Sequence, residues 1–289
     1  MTNNKENRID NNIYFPIPIG RDNPLVIIGG INVLENLETS LEVGYSFKKS
    51  CEKLNKKFIF KASFDKANRS SFDSFRGPGL EKGLEWLKII KSKLNCPILT
   101  DIHEPSQVEK AAKICDVLQL PAFLARQTDL VKELAKSKRP VHIKKPQFIS
   151  PYQMKEIVTK FEKFGCKDVV LCERGSTFGY NNQIVDLLGL SIMREVSENK
   201  PISFDVTHSL QYRKNNSQVS KGRRGQSLEI AKAAIAVGID AIFIEAHPKP
   251  SQALCDGECA IPTKKVNSFL QQIIELDEFV RSQKKLEIE

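Results

Sequence analysis

No stretch of the 289 residues approaches the roughly 18 consecutive apolar residues of a membrane span. The opening residues 1–8 are polar and lack the apolar core of a secretory signal. A membrane protein and a secreted one are thereby set aside, and a cytoplasmic protein is expected. No CxxC pair occurs among the seven cysteines, and Cys255 and Cys259 have no companion pair at zinc spacing. Their odd number and scatter indicate reduced thiols in a reducing compartment. Aromatic residues make up only 8%, and no RNP, zinc-finger or helix-turn-helix signature is present. That argues against a basic nucleic-acid-binding protein, which a net charge of +9 would otherwise invite. Neither GxGxxG nor GxxxxGK[ST] follows an early strand, which removes the usual mark of a doubly wound nucleotide-binding sheet.

What is present is ordinary globular material, 40% hydrophobic and 27% charged. Residues 1–12 are Asn- and charge-rich and are expected to be a disordered tail. From there, short β-branched apolar runs alternate with helix-period segments. The runs fall at 25–28, 58–60, 97–100, 117–120, 141–143, 169–171, 202–204 and 241–244. Near-continuous apolar strands imply burial on both faces, as in a parallel sheet. Between them, Leu80, Leu84, Leu87 and Ile90 recur at helical spacing, as do Met154, Ile157, Val158 and Phe161 behind the cap Ser150-Pro151. A last helix carries Val266, Phe269, Leu270, Ile273 and Ile274. Eight such units predict a single-domain (β/α)8 barrel over residues 13–285.

A barrel places its chemistry at the C-terminal ends of its strands. Reading past each apolar run brings Lys61, Lys66, Arg69, Lys144, Arg174 and His208 to one mouth. One such cation is readily a loop ion pair, but six together call for a ligand with more than one anionic group. Asp101, Glu245 and Asp256 bring carboxylates to the same rim, and Asp205 is placed to position His208 or the strand end. Gly77-Pro78-Gly79 and Gly222-Arg223-Arg224-Gly225 read as loop-to-helix junctions, able to receive an anion or simply to cap a helix. The polar segment 214–221, within a wider span 212–224, has the character either of a lid or of an ordinary surface loop.

With these residues in view, the chain resembles the 3-deoxy-D-manno-octulosonate 8-phosphate synthases. The likeness is carried over residues 25–260 by GGIN (29–32), KASFDKANRSS (61–71), RGPG (76–79), DIHEPSQ (101–107) and QLPAFLARQTDL (119–130). It continues in KKPQF (144–148), CERG (172–175), FGYNN (178–182), DVTHSLQ (205–211), EAHP (245–248) and CDG (255–257). The resemblance implies a cytoplasmic transferase that condenses phosphoenolpyruvate with arabinose 5-phosphate and water. The product is a lipopolysaccharide precursor. It further implies that Lys66, Gln119, Pro121, Ala122, Phe123, Lys144, Arg174, His208 and Glu245 hold phosphoenolpyruvate. Lys61, Asn68, Arg69, Ser70 and Asp101 would hold arabinose 5-phosphate, joined by Arg126 from a neighbouring subunit of a homotetramer. Lys66, Asn32, His208 and Asp256 are the expected catalytic groups.

Two classes exist in that family, and the metal-dependent one has a cysteine after the first strand beside a His, a Glu and an Asp. This chain has Asn32 there, with His208, Glu245 and Asp256 retained. A neutral amide is a poor ligand beside a thiolate, so no metal and no cofactor are expected. The competing enzyme reading is the related synthase that takes erythrose 4-phosphate. The KANRSS run and Asn32 argue against it.

Overall fold

The computed structural model describes residues 16–69, 71–177, 181–212, 221–284, 286 and 288. Eight parallel strands close into a barrel: β1 (Val26–Val33), β2 (Phe58–Ser63), β3 (Ile98–Asp101), β4 (Val117–Leu120), β5 (Val141–Lys144), β6 (Val169–Glu173), β7 (Ile202–Asp205) and β10 (Ala241–His247). Closure is the β1–β10 pairing, with Val26 opposite Ala241 and Gly30 opposite Glu245. A two-residue antiparallel ribbon, β8 (Gln211–Tyr212) with β9 (Lys221–Gly222), stands after β7, and β11 (Ile261–Pro262) pairs in parallel with the last residues of β10, Ala246 and His247. All eight expected strands are present, at or within a few residues of their expected limits. The expected tail and residues 213–220, within the segment read as either a lid or a surface loop, lie outside the described residues.

The outer ring comprises α1 (Leu37–Lys53), α2 (Leu80–Leu94), α3 (Val108–Ala112), α4 (Thr128–Lys136), α5 (Met154–Lys163), α6 (Gly189–Val196), α8 (Ser227–Val237) and α9 (Val266–Ser282). A further single turn, α7 (Val206–Ser209), leaves β7 directly. Asn36 opens α1, its side-chain oxygen accepting the Thr39 N–H at 2.8 Å. Ser150-Pro151 opens a 3₁₀ turn, Pro151–Gln153, which runs on into α5, while the Gln153 side chain accepts the Ser150 N–H at 3.0 Å. On α2, Leu84, Leu87, Ile90 and Leu94 form the buried face.

Strand residues alternate between two apolar environments, which explains the unbroken hydrophobic runs. Outward residues such as Ile27, Phe60, Leu118, Ile143 and Leu171 pack under the helices. Inward residues Val26, Ile28, Ile59, Leu99, Val117, Val170 and Ala241 form a separate cluster in the lumen, joined by Ile17 and Ile19 from the segment before β1. Next along the strands come His142, Ser203 and Phe243, all buried, and then the charged side chains of the mouth. The lumen therefore passes from hydrocarbon to neutral polar groups to charge.

Two glycines permit close backbone approaches at the mouth. A Cβ on Gly30 would lie 1.9 Å from the Lys61 carbonyl oxygen, so β1 and β2 can pair there only around glycine. Just beyond, the β1–β2 register shifts between Gly30 and Val33, and this irregularity contains Asn32. A Cβ on Gly257 would lie 2.1 Å from the Pro250 carbonyl oxygen, which ties down the loop carrying Asp256.

Candidate active site

The strand ends surround one cavity of about 1320 Å³, more than a single small ligand needs and room for two. All six expected cations line it: Lys61, Lys66, Arg69, Lys144, Arg174 and His208. So do Asn68, Asp101, Gln119, Pro121, Ala122, Phe123 and Asp256. Asn32 and Glu245 do not; they form a buried layer behind Lys61 and His208. Arg126 is exposed and outside the cavity, and Ser70 lies outside the described residues.

The cations fall into two groups. Lys61, Lys144 and His208 have carboxylate partners within the wall. Lys61 Nζ donates to Glu245 Oε1 at 2.8 Å and to the Asn32 carbonyl at 3.3 Å, and Lys144 Nζ donates to Asp205 Oδ2 at 2.5 Å. Lys66, Arg69 and Arg174 have no ion-pair partner within 4.0 Å among the described residues. One guanidinium nitrogen of Arg69 and one of Arg174 are buried without a hydrogen-bond partner among the described residues. Arg174 uses its other terminal nitrogen on Gln211 Oε1 at 2.9 Å. A buried N–H on a charged group is costly to leave unpaired, so these atoms call for an anion.

The carboxylates tune this field. Burial would raise Asp101, but the His103 ring nitrogen 3.1 Å away, Lys61 and Lys66 hold it well below the ordinary carboxyl range. Burial is likewise outweighed at Asp205 by His208 and Lys144, and at Glu245, held down to about 2, by Lys61, His208 and Lys66. Lys66 runs the other way. Burial would lower it, yet Asp101, Glu245, Cys255 and Asp256 together hold it above the usual lysine value, so it stays an ammonium.

Asp205 does three jobs at the end of β7. Its Oδ1 caps α7 by accepting the His208 N–H at 2.9 Å, and its Oδ2 meets both Lys144 and His208 Nδ1, the latter at 2.8 Å. With Nδ1 directed to Asp205, the His208 ring turns Nε2 the other way. That atom lies 3.3 Å from Asn32 Nδ2. The same amide nitrogen is 2.6 Å from Glu245 Oε2 and 3.4 Å from Asp256 Oδ2. Two carboxylates can only accept, which requires the NH₂ edge of the amide to face them. Both amide hydrogens are thus committed, and Oδ1, buried and without a hydrogen-bond partner among the described residues, is the amide atom left to receive a donor.

The same geometry tests the metal question. His208, Glu245 and Asp256 converge on an amide nitrogen, and a divalent ion does not fit among them while that NH₂ is in place. Asp256 itself adopts φ +48°, a strained backbone held by its surroundings.

Sequence reasoning missed several lining residues. His103 follows the end of β3 by two positions, and its Nδ1 is buried and has no hydrogen-bond partner among the described residues; the strand-end rule could have found it. Arg223 and Arg224, read in the sequence only as part of a loop-to-helix junction able to receive an anion or cap a helix, also line the cavity with their side chains bonded to the Gln183 carbonyl at 3.1 Å and the Gly257 carbonyl at 2.9 Å. Their role at the mouth depends on the β8–β9 ribbon, whose two-residue strands leave no periodic signal.

A closed (β/α)8 barrel with a buried cationic mouth sized for two anions defines an enzyme of phosphorylated or carboxylated small substrates. The chain belongs to the DAHP synthetase I family, whose profile matches residues 3–282. Among its relatives, a 2-dehydro-3-deoxyphosphooctonate aldolase of Parasynechococcus marenigrum is 48% identical over 272 residues, 94% of this chain and 96% of the relative. One of Chromobacterium violaceum is 48% identical over 273 residues, 94% and 97% of the two chains. One of Erwinia tasmaniensis is 50% identical over 266 residues, 92% and 94%.

Proposed function

We propose that this protein is a transferase that condenses phosphoenolpyruvate with D-arabinose 5-phosphate and water, giving 3-deoxy-D-manno-octulosonate 8-phosphate and inorganic phosphate, a step toward lipopolysaccharide. The observation that carries the reading is the set of buried, unpaired cationic donors on Arg69 and Arg174 at opposite parts of one cavity. The names of the relatives agree with that product.

Phosphoenolpyruvate lies on the β4–β7 side, over Gln119 and Pro121-Ala122-Phe123, with its charges met by Lys66, Lys144, Arg174 and His208. Arabinose 5-phosphate lies toward β2 and β3, among Lys61, Asn68, Arg69, Ser70 and Asp101. Arg126 of a neighbouring subunit reaches its phosphate. The enol C3 attacks the aldehyde carbon, and Lys66 stabilises the forming alkoxide as a protonated donor. C2 becomes electron-poor, water adds there, and the hemiketal phosphate collapses with C–O cleavage to release phosphate. Asn32 acts behind the reacting atoms: its NH₂ keeps His208, Glu245 and Asp256 together without a metal. Glu245 serves through that layer and through Lys61.

The reading includes a cytoplasmic homotetramer without cofactor. Seven free thiols fit a reducing compartment, and exposed Phe123 and Phe148 at the mouth, with Arg126 outside the cavity, fit a subunit contact there.

Phosphate release from phosphoenolpyruvate, strictly dependent on arabinose 5-phosphate, is the expected result. Release supported equally by erythrose 4-phosphate would favour the sister synthase. Release with neither sugar, together with salt-sensitive nucleic-acid binding, would overturn both enzyme readings.

A further inference from the structure

Directly beneath the charged mouth, behind Gln119, lie two neutral polar groups that the condensation scheme does not use, His142 and Ser203. His142 on β5 is fully buried. Its Nδ1 is 3.1 Å from Gln119 Oε1 and its Nε2 is 2.8 Å from Ser203 Oγ. Its ring stacks on Phe243 at 5.9 Å between centroids and 10° between planes, and the Lys144 ammonium sits 3.3 Å from the centre of that same Phe243 ring. Gln119 pairs in register with His142 across β4 and β5 and also lines the cavity.

A ring so placed is neutral. Burial, then the neighbouring Lys144, push its pKa well below the ordinary histidine value. A neutral imidazole carries one proton, so two orders are open to the chain. In one, Ser203 O–H donates to Nε2, and Nδ1–H donates to Gln119 Oε1. In the other, Nε2–H donates to Ser203, whose hydroxyl goes to the Leu171 carbonyl, and Gln119 is turned so that its NH₂ faces the ring. Gln119 turns Oε1, which can only accept, to Nδ1 at 3.1 Å, so Nδ1 carries the proton, Nε2 accepts from Ser203 at 2.8 Å, and the first order is selected.

The consequence reaches the mouth. A glutamine left to itself among lysine and arginine side chains would turn its oxygen toward them. It would then offer the wrong end of its dipole to an arriving anion. With the oxygen held from below, only the NH₂ remains for the cavity, set before the substrate arrives. We propose that His142 is a positioning residue for the enolpyruvate half of the site. Fixed as the Nδ1–H tautomer, it holds the Gln119 oxygen and presents the Gln119 NH₂ to an anionic oxygen of phosphoenolpyruvate. This assignment rests on the substrate reading above.

The test is a ¹⁵N-histidine correlation spectrum of the full chain, with His142 identified by the signal lost in His142→Asn. The expected signature is a protonated Nδ1 and a bare, hydrogen-bond-accepting Nε2, unchanged between pH 6 and pH 9 and in saturating phosphoenolpyruvate. An Nε2–H tautomer or an imidazolium at neutral pH overturns the proposal. Kinetics give the second arm. His142→Leu should raise the KM for phosphoenolpyruvate roughly tenfold to a hundredfold, the scale of one hydrogen bond to a charged group, and leave that for arabinose 5-phosphate within about twofold. His142→Asn, which keeps a donor near the Nδ1 position, should restore most of the loss. Equal changes in both constants, or no rescue by asparagine, would reduce His142 to packing. If the leucine variant does not fold, the wild-type spectrum still decides. Wild type inactive with both substrates but carrying the Nδ1–H tautomer would sink the substrate reading alone.

Discussion

Asn32 shows how much one side chain decides. Its amide nitrogen lies 2.6 Å from Glu245, 3.3 Å from His208 and 3.4 Å from Asp256, acting as a neutral donor among three groups that could otherwise ligate a cation. The wild-type enzyme is therefore expected to keep full activity after exhaustive dialysis against EDTA. Asn32→Cys should bind close to one manganese or zinc ion per chain by elemental analysis, because it replaces the donor NH₂ by a thiolate. Chelator-sensitive wild-type activity restored by either ion would contradict this. Identity at position 32 was legible in the sequence, and its contrast with a thiolate could be read there too. Its hydrogen bonding was not, because it depends on a register shift in β1 and on a partner 213 residues away. His142 went unmarked for a related reason. Within the run Val141-His142-Ile143 nothing distinguishes a lumen-facing histidine from a packed one until the barrel is closed.

At the scale of elements, α7 makes the strand end of β7 into a tool. Its N-cap, Asp205, is at once the partner of Lys144 and of the His208 ring. Asp205→Asn keeps a capping oxygen but removes the charge, so α7 should persist while kcat falls by about two orders of magnitude or more. The pH dependence follows from the same carboxyl. Its folded pKa lies well below the ordinary 3.8, so between the two values the unfolded chain binds more protons. The stability it contributes is complete above the ordinary value and is lost as pH falls through the window toward the folded one. Urea midpoints from pH 5 to pH 3 should therefore drop more steeply for wild type than for Asp205→Asn. The major elements were readable because each barrel strand is apolar on both faces, and helix caps such as Asn36 and Ser150 act within a few residues. The β8–β9 ribbon and the positive φ of Asp256 were not, since both are imposed by packing between distant loops: Glu258 pairs with Lys221 at 2.6 Å, and Gly257 abuts Pro250.

At the scale of the whole molecule, Arg126 lies outside its own cavity, and the proposed role for it is to complete the site of a neighbour. Mixing Arg126→Ala subunits with Lys66→Ala subunits should recover part of the wild-type rate, because some mixed contacts unite an intact Lys66 pocket with an intact Arg126. No recovery in hetero-oligomers verified by mass would return Arg126 to its own surface. The hydrocarbon floor of the lumen, Ile17 and Ile19 with Val26, Ile28, Ile59, Leu99, Val117, Val170 and Ala241, also acts at a distance. It is an insulator closing one end of a charged tube. Field lines from the mouth cations cannot spread downward through mobile ions and must leave through the opening, where they draw doubly charged metabolites inward from beyond contact range. Capture then depends on the ionic atmosphere outside, whereas the chemistry proceeds in a space that atmosphere does not enter. Raising salt from about 0.05 M to about 0.5 M shortens the screening length from above to below ~10 Å. The second-order capture rate for phosphoenolpyruvate should fall several-fold across that range while the rate at saturation stays nearly level.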